Sequence, residues 1–414
     1  MKTLKNFFDK IRPLFEEGGK YHWLHSVYDG FETFLFVPNT TSKSGVHIHD
    51  SHDTKRTMSI VVVALIPALL FGMYNVGLQH YMAIGQEVGF WTRFFYGFLA
   101  VLPQIVVSYV VGLGIEFTAA QMKGEEIAEG FLVTGLLIPM ILPVNTPLWM
   151  IALATAFAVI FAKEVFGGTG YNIFNVALVA RAFLFFAYPS MMSGDRVFVR
   201  TGGSFGMGRP EMVNGIAQTI DGFSGATPLG QLAITDAPHF ASFGFTGVTG
   251  QPLTLSDMFW GFIPGSVGEV STFAILLGAI LLISTGVGSW KTMLSVFLGG
   301  LFTISIVNLF AVNPIMEMPA HYHFLLGGFA FGAVFMATDP VTSARTEKGK
   351  WIHGFLIGLL AITIRVFNPG YPEGMMLAIL LMNAFAPLID FYVVDANIKR
   401  RLKRVEAKNE VNKK

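Results

Sequence analysis

Thr57-Met-Ser-Ile-Val-Val-Val-Ala-Leu-Ile-Pro-Ala-Leu-Leu-Phe-Gly-Met-Tyr-Asn-Val76 runs without a charge and follows directly on Lys55-Arg56. A helix needs about 20 apolar residues to cross the hydrocarbon of a bilayer, so this stretch predicts a membrane span with a basic flank. Comparable runs follow at 94–117, 127–145, 147–165, 172–190, 268–287, 289–311, 322–339, 351–367 and 373–394. The expected fold is an all-α polytopic membrane protein of about ten transmembrane helices. The third run contains Pro139 and Pro143 and is joined to the fourth only by Val144-Asn-Thr-Pro147, so a broken or re-entrant helix is an alternative there.

Composition agrees with the patterning. Of 414 residues, 53% are hydrophobic and only 13% charged, against about 25% charged in soluble domains. The net charge of +1 carries no field suited to nucleic acid. The chain has no cysteine, which excludes disulfides, thiol nucleophiles and an iron–sulfur cluster ligated by its own thiolates. If it moves electrons, an organic cofactor must carry them. Residues 1–56 are charged and aromatic and lack the apolar core of a secretory signal, so the first span is expected to direct insertion.

Lysine and arginine in short loops set orientation. Lys55, Arg56, Lys123, Lys163, Lys291, Arg345, Lys348, Lys350 and the run Lys399-Arg400-Arg401 with Lys403 and Arg404 all fall on one side of a ten-span arrangement. Both termini are therefore expected in the cytoplasm, and the polar stretch 191–257 on the periplasmic face of an inner membrane. The resulting division is a cytoplasmic segment 1–56, a five-helix unit 57–190, the periplasmic loop 191–257, a second five-helix unit 258–394 and a basic tail 395–414. An odd number of spans per unit inverts the second relative to the first, so any repeat is of the inverted kind. The third and eighth spans, both glycine-rich and interrupted near one end, are its expected counterparts.

Several polar positions invite a functional reading. Ionisable residues within spans normally face protein or a water path, and the candidates are Glu116, Glu164, Arg181, Asp339, Arg365 and Asp390. For Lys163-Glu164 the expectation is ordinary exposure to headgroups, whereas Arg181 and Asp390 lie deeper. Na+ wants several oxygen ligands, which Asp390, Asp339-Pro340 and the interrupted third span could supply. Phe166-Gly-Gly-Thr-Gly-Tyr-Asn172-Ile-Phe-Asn175 is either a tight interhelical turn or a surface for a flat cofactor, with the amides of Asn172 and Asn175 as hydrogen-bonding groups. His47, His49 and His52 lack the closed ligand shell of a metal site. Ser224-Gly225-Ala226-Thr227 is a small turn, or looks like a site at which a flavin-transferring enzyme esterifies a flavin phosphate to the threonine hydroxyl, its small neighbours leaving room for that enzyme.

Taken together, Ala162-Lys-Glu-Val-Phe-Gly-Gly-Thr-Gly170, Arg181-Ala-Phe-Leu-Phe-Phe-Ala-Tyr-Pro189, the segment 221–227, Ile263-Pro-Gly-Ser-Val-Gly-Glu-Val-Ser-Thr272, Phe335-Met-Ala-Thr-Asp-Pro340 and Asn368-Pro-Gly-Tyr-Pro-Glu-Gly-Met-Met376 closely resemble the B subunits of the bacterial Na+-translocating NADH:quinone oxidoreductases. The resemblance covers essentially the whole chain. It implies a flavoprotein subunit of a six-subunit translocase, partnered by the A, C, D, E and F subunits. FMN would be joined through its phosphate to Thr227 by a flavin transferase, riboflavin held non-covalently, and electrons passed from the FMN of the neighbouring C subunit through both flavins to ubiquinone, coupled to Na+ export. By the same resemblance Glu116 and Asp390 correspond to carboxylates tied to Na+ handling, and Asp29 stands where the family has glutamate. Gly112-Leu-Gly114 stands in place of two adjacent glycines at the quinone-inhibitor locus. The D subunit of the related ferredoxin-oxidising ion pump shares the flavinylation motif, and the charged segment 1–56 favours the quinone reductase over it. A cofactor-free channel or transporter for a small solute is the reading from another class.

Overall fold

The structure, a computed structural model, describes residues 2–16, 18–36, 54–124, 130–193, 197–202, 212–213, 216–217, 223–368 and 370–412. His47, His49 and His52 lie outside these residues, as does the side chain of Asp29. Two helices, α1 (Lys2–Ile11) and α2 (His25–Leu35), precede α3 (Thr54–Ala83), α4 (Phe90–Lys123), α5 (Phe131–Ile141), α6 (Leu148–Ala162), α7 (Val176–Ala187) and the single turn α8 (Pro189–Met192). The polar stretch holds a minimal hairpin, β1 (Met212–Val213) on β2 (Ile216–Ala217), then α9 (Pro228–Ala233) and α10 (Leu255–Trp260). The second half continues with α11 (Thr272–Ser284), α12 (Trp290–Leu309), α13 (Pro314–Glu317), α14 (Ala320–Leu325), α15 (Phe329–Phe331), α16 (Glu347–Phe367) and α17 (Met375–Asn412).

Among the described residues, six helices are long and apolar enough to cross a bilayer: α3, α4, α6 with the turn that follows it, α12, α16 and α17. Three more of the expected spans are shorter than their apolar runs. α5 has 11 residues, α7 has 12 and α11 has 13, and 11 residues at a rise of 1.5 Å reach only about 17 Å. Local chemistry sets these limits. Asn175 accepts from Leu178 N at 3.2 Å and starts α7, and Ser271 accepts from Ala274 N at 3.3 Å and starts α11. Each cap begins its helix inside an apolar run. α5 contains Pro139, and Pro143 follows its end.

The eighth expected span, 322–339, is interrupted toward its start. Gly327 and Gly328 take φ of +66° and +67°, the left-handed region that glycine occupies without steric cost. α15 then runs into a π-helical turn over Gly332–Met336. The carbonyls freed at the break are taken by Arg365 of α16. Its Nη1 donates to His323 O at 2.6 Å and its Nη2 to Leu326 O at 3.0 Å and Gly327 O at 3.4 Å. A Cβ on Gly327 would lie 2.9 Å from that guanidinium and 2.2 Å from Leu229 Cδ1.

Lipid gives helices no hydrophobic reason to associate, so close backbone packing at small residues must do it. α12 and α16 show this most directly: a Cβ on Gly299 would lie 2.0 Å from Phe355 O, and one on Gly358 would lie 2.0 Å from Val296 O. α3 and α4 meet likewise at Gly77 and Gly97, against Arg93 O and Met73 O. In the first half α4 packs on α5 and α6, α6 on α7, and α5 on α3 and α7. In the second, α12 packs on α16, α16 on α17, and the π-helical turn on α11, α12 and α17. α3 meets α11 and α7 meets α17 across the halves. The fully buried Phe131, Phe329 and Phe331 belong to the apolar interior shared by these helices.

Candidate functional site

Two cavities, one at each end of α7, gather polar residues singled out above. At the first, Thr227 caps α9: its Oγ1 accepts from Gly230 N at 3.1 Å and Pro228 occupies the first helical position. Gln231 ties the motif to the neighbouring loop. Its Nε2 donates to Ala226 O at 3.1 Å and Thr246 O at 2.7 Å, and its Oε1 accepts from Thr246 N at 3.0 Å. Ser224 is exposed, Gly225 and Ala226 are buried, and Thr227 is half-buried. Glu317 anchors the same polar region. Its hydrogen bonds from His239, 2.7 Å away, and Phe240 N, also at 2.7 Å, hold its carboxyl below the usual range.

Thr227 lines a cavity of about 260 Å³ whose walls include Phe185, Phe198, Tyr371, Arg181 and Glu373. That volume approaches the lower end of ligand pockets, about 300 Å³. Apolar and aromatic walls with a few charged groups, next to a hydroxyl, fit a planar ring held by a short covalent tether. Arg181 is buried and paired: Nη1 lies 2.5 Å from Glu269 Oε1, and Nη2 contacts Glu373 Oε2. Neither partner is near it in sequence.

At the opposite end Asn172, Asn175 and Asp339 meet around a second cavity of about 80 Å³, with Lys163, Thr169 and Thr57 also in its wall. Asn175 Nδ2 donates to Asp339 Oδ2 at 3.0 Å, and the same oxygen accepts from Thr342 Oγ1 at 3.0 Å. Asn172 Nδ2 donates to Phe174 O at 3.1 Å. The space is well below that of a drug-sized pocket. A tricyclic ring enters only if the surrounding helices part.

Glu116 and Lys163 form a buried ion pair beside this cavity, and Lys123 with Glu164 form a second pair at 2.9 Å. The expectation that Lys163 faces headgroups is thus corrected. α4 and α6 pack together and bring the ammonium against Glu116, where an uncompensated buried charge would be costly. Asp390 stands apart from both cavities. Its Oδ2 accepts from Arg345 N at 2.7 Å and its Oδ1 from Thr346 N at 3.0 Å and Thr346 Oγ1 at 2.5 Å, which clamps the start of α16 to α17.

Gly112 and Gly114 have different surroundings. A Cβ on Gly112 would lie 1.8 Å from Phe131 Cζ, whereas one on Gly114 meets nothing within 4 Å. Gly112→Ala is expected to displace the Phe131 ring and lower the melting temperature of the solubilised protein, with Gly114→Ala leaving it unchanged. Equal melting temperatures for the two variants would contradict this packing.

A family model described as the NQR2, RnfD, RnfE family matches residues 41–399. Among curated proteins, the B subunit of the Na(+)-translocating NADH-quinone reductase of Chromohalobacter salexigens is 43% identical, over 97% of this chain and 96% of that protein. The B subunits of the same enzyme from Ectopseudomonas mendocina and Yersinia pestis are 42% and 41% identical, over 97% of this chain and 99% and 100% of theirs. The chain belongs to the family of Na+-translocating NADH-quinone reductase B subunits. In this family member, the carboxylates Glu269 and Glu373 escape a reading of the sequence because their partner Arg181 is 88 and 192 residues away. Both lie in segments that carry the resemblance, and their charges inside a largely uncharged chain are the available signal.

Proposed function

We propose that the chain is the membrane flavoprotein subunit of a Na+-pumping NADH:ubiquinone reductase, with FMN esterified to Thr227. The supporting observation is the place of Thr227: a half-buried hydroxyl on a loop secured by Gln231, lining an aromatic cavity. FMN attached there would supply one- and two-electron chemistry, and the protein's part is to bind, orient and exclude water from the ring. Phe185, Phe198 and Tyr371 wall the cavity, and Arg181 and Glu373 supply its charge. Ser224, Gly225 and Ala226 present the hydroxyl to a flavin transferase. Riboflavin is assigned to the Asn172 and Asn175 end, and ubiquinone to the stretch around Gly112 and Gly114. The partners are the A, C, D, E and F subunits, with electrons arriving from the FMN of the C subunit.

In this reading the chain lies in the inner membrane with both termini cytoplasmic and Thr227 periplasmic, and two inverted five-helix units carry it. α4 packs on α6 and α6 on α7 as α12 packs on α16 and α16 on α17, which supports two similarly packed units. Full-length protein made in a host with the flavin transferase should show a fluorescent band on a denaturing gel. An unlabelled wild-type chain would sink the assignment of FMN to Thr227.

Glu116, Asp339 and Asp390 are assigned to Na+ transfer. Asp390→Asn should raise the Na+ concentration for half-maximal quinone reduction, and an unchanged concentration removes Asp390 from the route. Because Asp390 also holds the turn at Arg345 and Thr346, the melting temperature is measured alongside.

A further inference from the structure

We propose that Arg181 is the group that meets the acceptor edge of the ring tethered to Thr227 and sets its reduction potential, with Glu373 as its adjustable counter-charge. The inference rests on the assignment of FMN to Thr227. Arg181 is 3% exposed and lines the same cavity as Thr227. Its two terminal nitrogens are engaged by Glu269 and Glu373, while its buried Nε has no hydrogen-bond partner among the described residues. Guanidinium is donor-only, and a buried donor without an acceptor is rare in folded proteins. The buried Nε atoms of Arg93 and Arg365 share this state, so it is the place of Arg181 in the wall of the cavity that Thr227 also lines that sets the guanidinium beside the tethered ring.

The charges around the cavity make the role specific. One guanidinium faces two carboxylates, of which Glu373 lines the cavity and is 13% exposed, while Glu269 is 6% exposed and does not line it. The pyrimidine edge of an isoalloxazine offers carbonyl oxygens and a ring nitrogen as acceptors. When the oxidised ring takes up two electrons from an electrode or an upstream carrier and one proton from solvent, one negative charge remains and is concentrated at that edge. A cation held there in a dry site favours the reduced form, and a neighbouring carboxylate opposes it. Removing Arg181's charge should therefore lower the potential, and removing Glu373's should raise it. Tyr371 and Phe185, with ring centroids 4.4 Å apart, form the wall against which the ring would be set.

The test uses the full-length flavinylated chain in detergent, titrated spectroelectrochemically at fixed pH. Arg181→Gln is expected to move the midpoint of the covalent flavin to more negative values and Glu373→Gln to more positive ones. Each shift should be at least about 30 mV, the equivalent of tenfold in a two-electron equilibrium. Gel fluorescence reports attachment and thermal melting reports folding in the same samples. If Arg181→Gln fails to fold because Glu269 loses its partner, the sign of the Glu373→Gln shift decides alone. A fluorescent, folded Glu373→Gln chain with an unshifted or lowered midpoint would overturn the proposal and reduce Arg181 to a structural counter-ion. A wild-type chain without covalent flavin would overturn the FMN assignment itself, a result read before any potential is measured.

Discussion

Thr227→Ala is expected to remove the covalent flavin completely, so that the fluorescent band on a denaturing gel disappears and quinone reduction by the assembled complex is lost. A methyl side chain cannot carry a phosphoester. The protein itself should survive, because the change removes one helix cap, and a lost cap costs about 1 kcal/mol. The bond involved is Gly230 N to Thr227 Oγ1 at 3.1 Å, on a six-residue helix. Ser224→Ala separates attachment from folding in the other direction. Ser224 is exposed, its Oγ accepts a long bond from Ala226 N, at 3.5 Å, and its backbone N–H remains bonded to Val248 O. That variant should keep full fluorescence. A band that persists in Thr227→Ala, or vanishes in Ser224→Ala, would move the attachment point.

The second large effect concerns assembly. Gly358→Val should prevent α12 and α16 from seating and eliminate the monodisperse peak in size-exclusion chromatography. The obstructing atom is Val296 O, 2.0 Å from the site of a Cβ, and the reciprocal contact is Phe355 O at Gly299. Both are backbone atoms, so no side-chain rotation relieves them and the helices must separate. The cost should exceed the roughly 1–3 kcal/mol of ordinary overpacking, because in lipid this close approach is itself the source of association. Gly114→Ala, with open space around its Cβ, is the matched control. A monodisperse Gly358→Val protein of wild-type stability would show that the two backbones are not in contact.

Legibility in the sequence varies by element. The first span is legible because Thr57–Val76 has no charge, and α3 contains it whole. The starts of α7 and α11 are not legible from hydropathy, which counts residues without asking whether their backbone is helical. Asn175 and Ser271 begin those helices within apolar runs. Thr227 is readable as a special residue, and its place before Pro228 also suits a helix cap. Its cavity is not, since Phe185, Phe198, Tyr371 and Glu373 come together only when α7, the polar stretch and the turn before α17 pack. Lys163 misleads for a similar reason. Position near the end of a span suggests headgroups, but the side chain turns inward to Glu116, 47 residues earlier.

The interruption at Gly327 and Gly328 has an electrical consequence. An unwound stretch inside a membrane protein usually offers bare carbonyl oxygens to a passing cation, but here the carbonyls of His323, Leu326 and Gly327 already face the guanidinium of Arg365. Two unit charges 4 Å apart repel by about 4 kcal/mol at an effective dielectric of 20. A second cation is therefore disfavoured at these three carbonyls. The gap in the helix is thus closed to carbonyl coordination by a guanidinium that three of its oxygens already face.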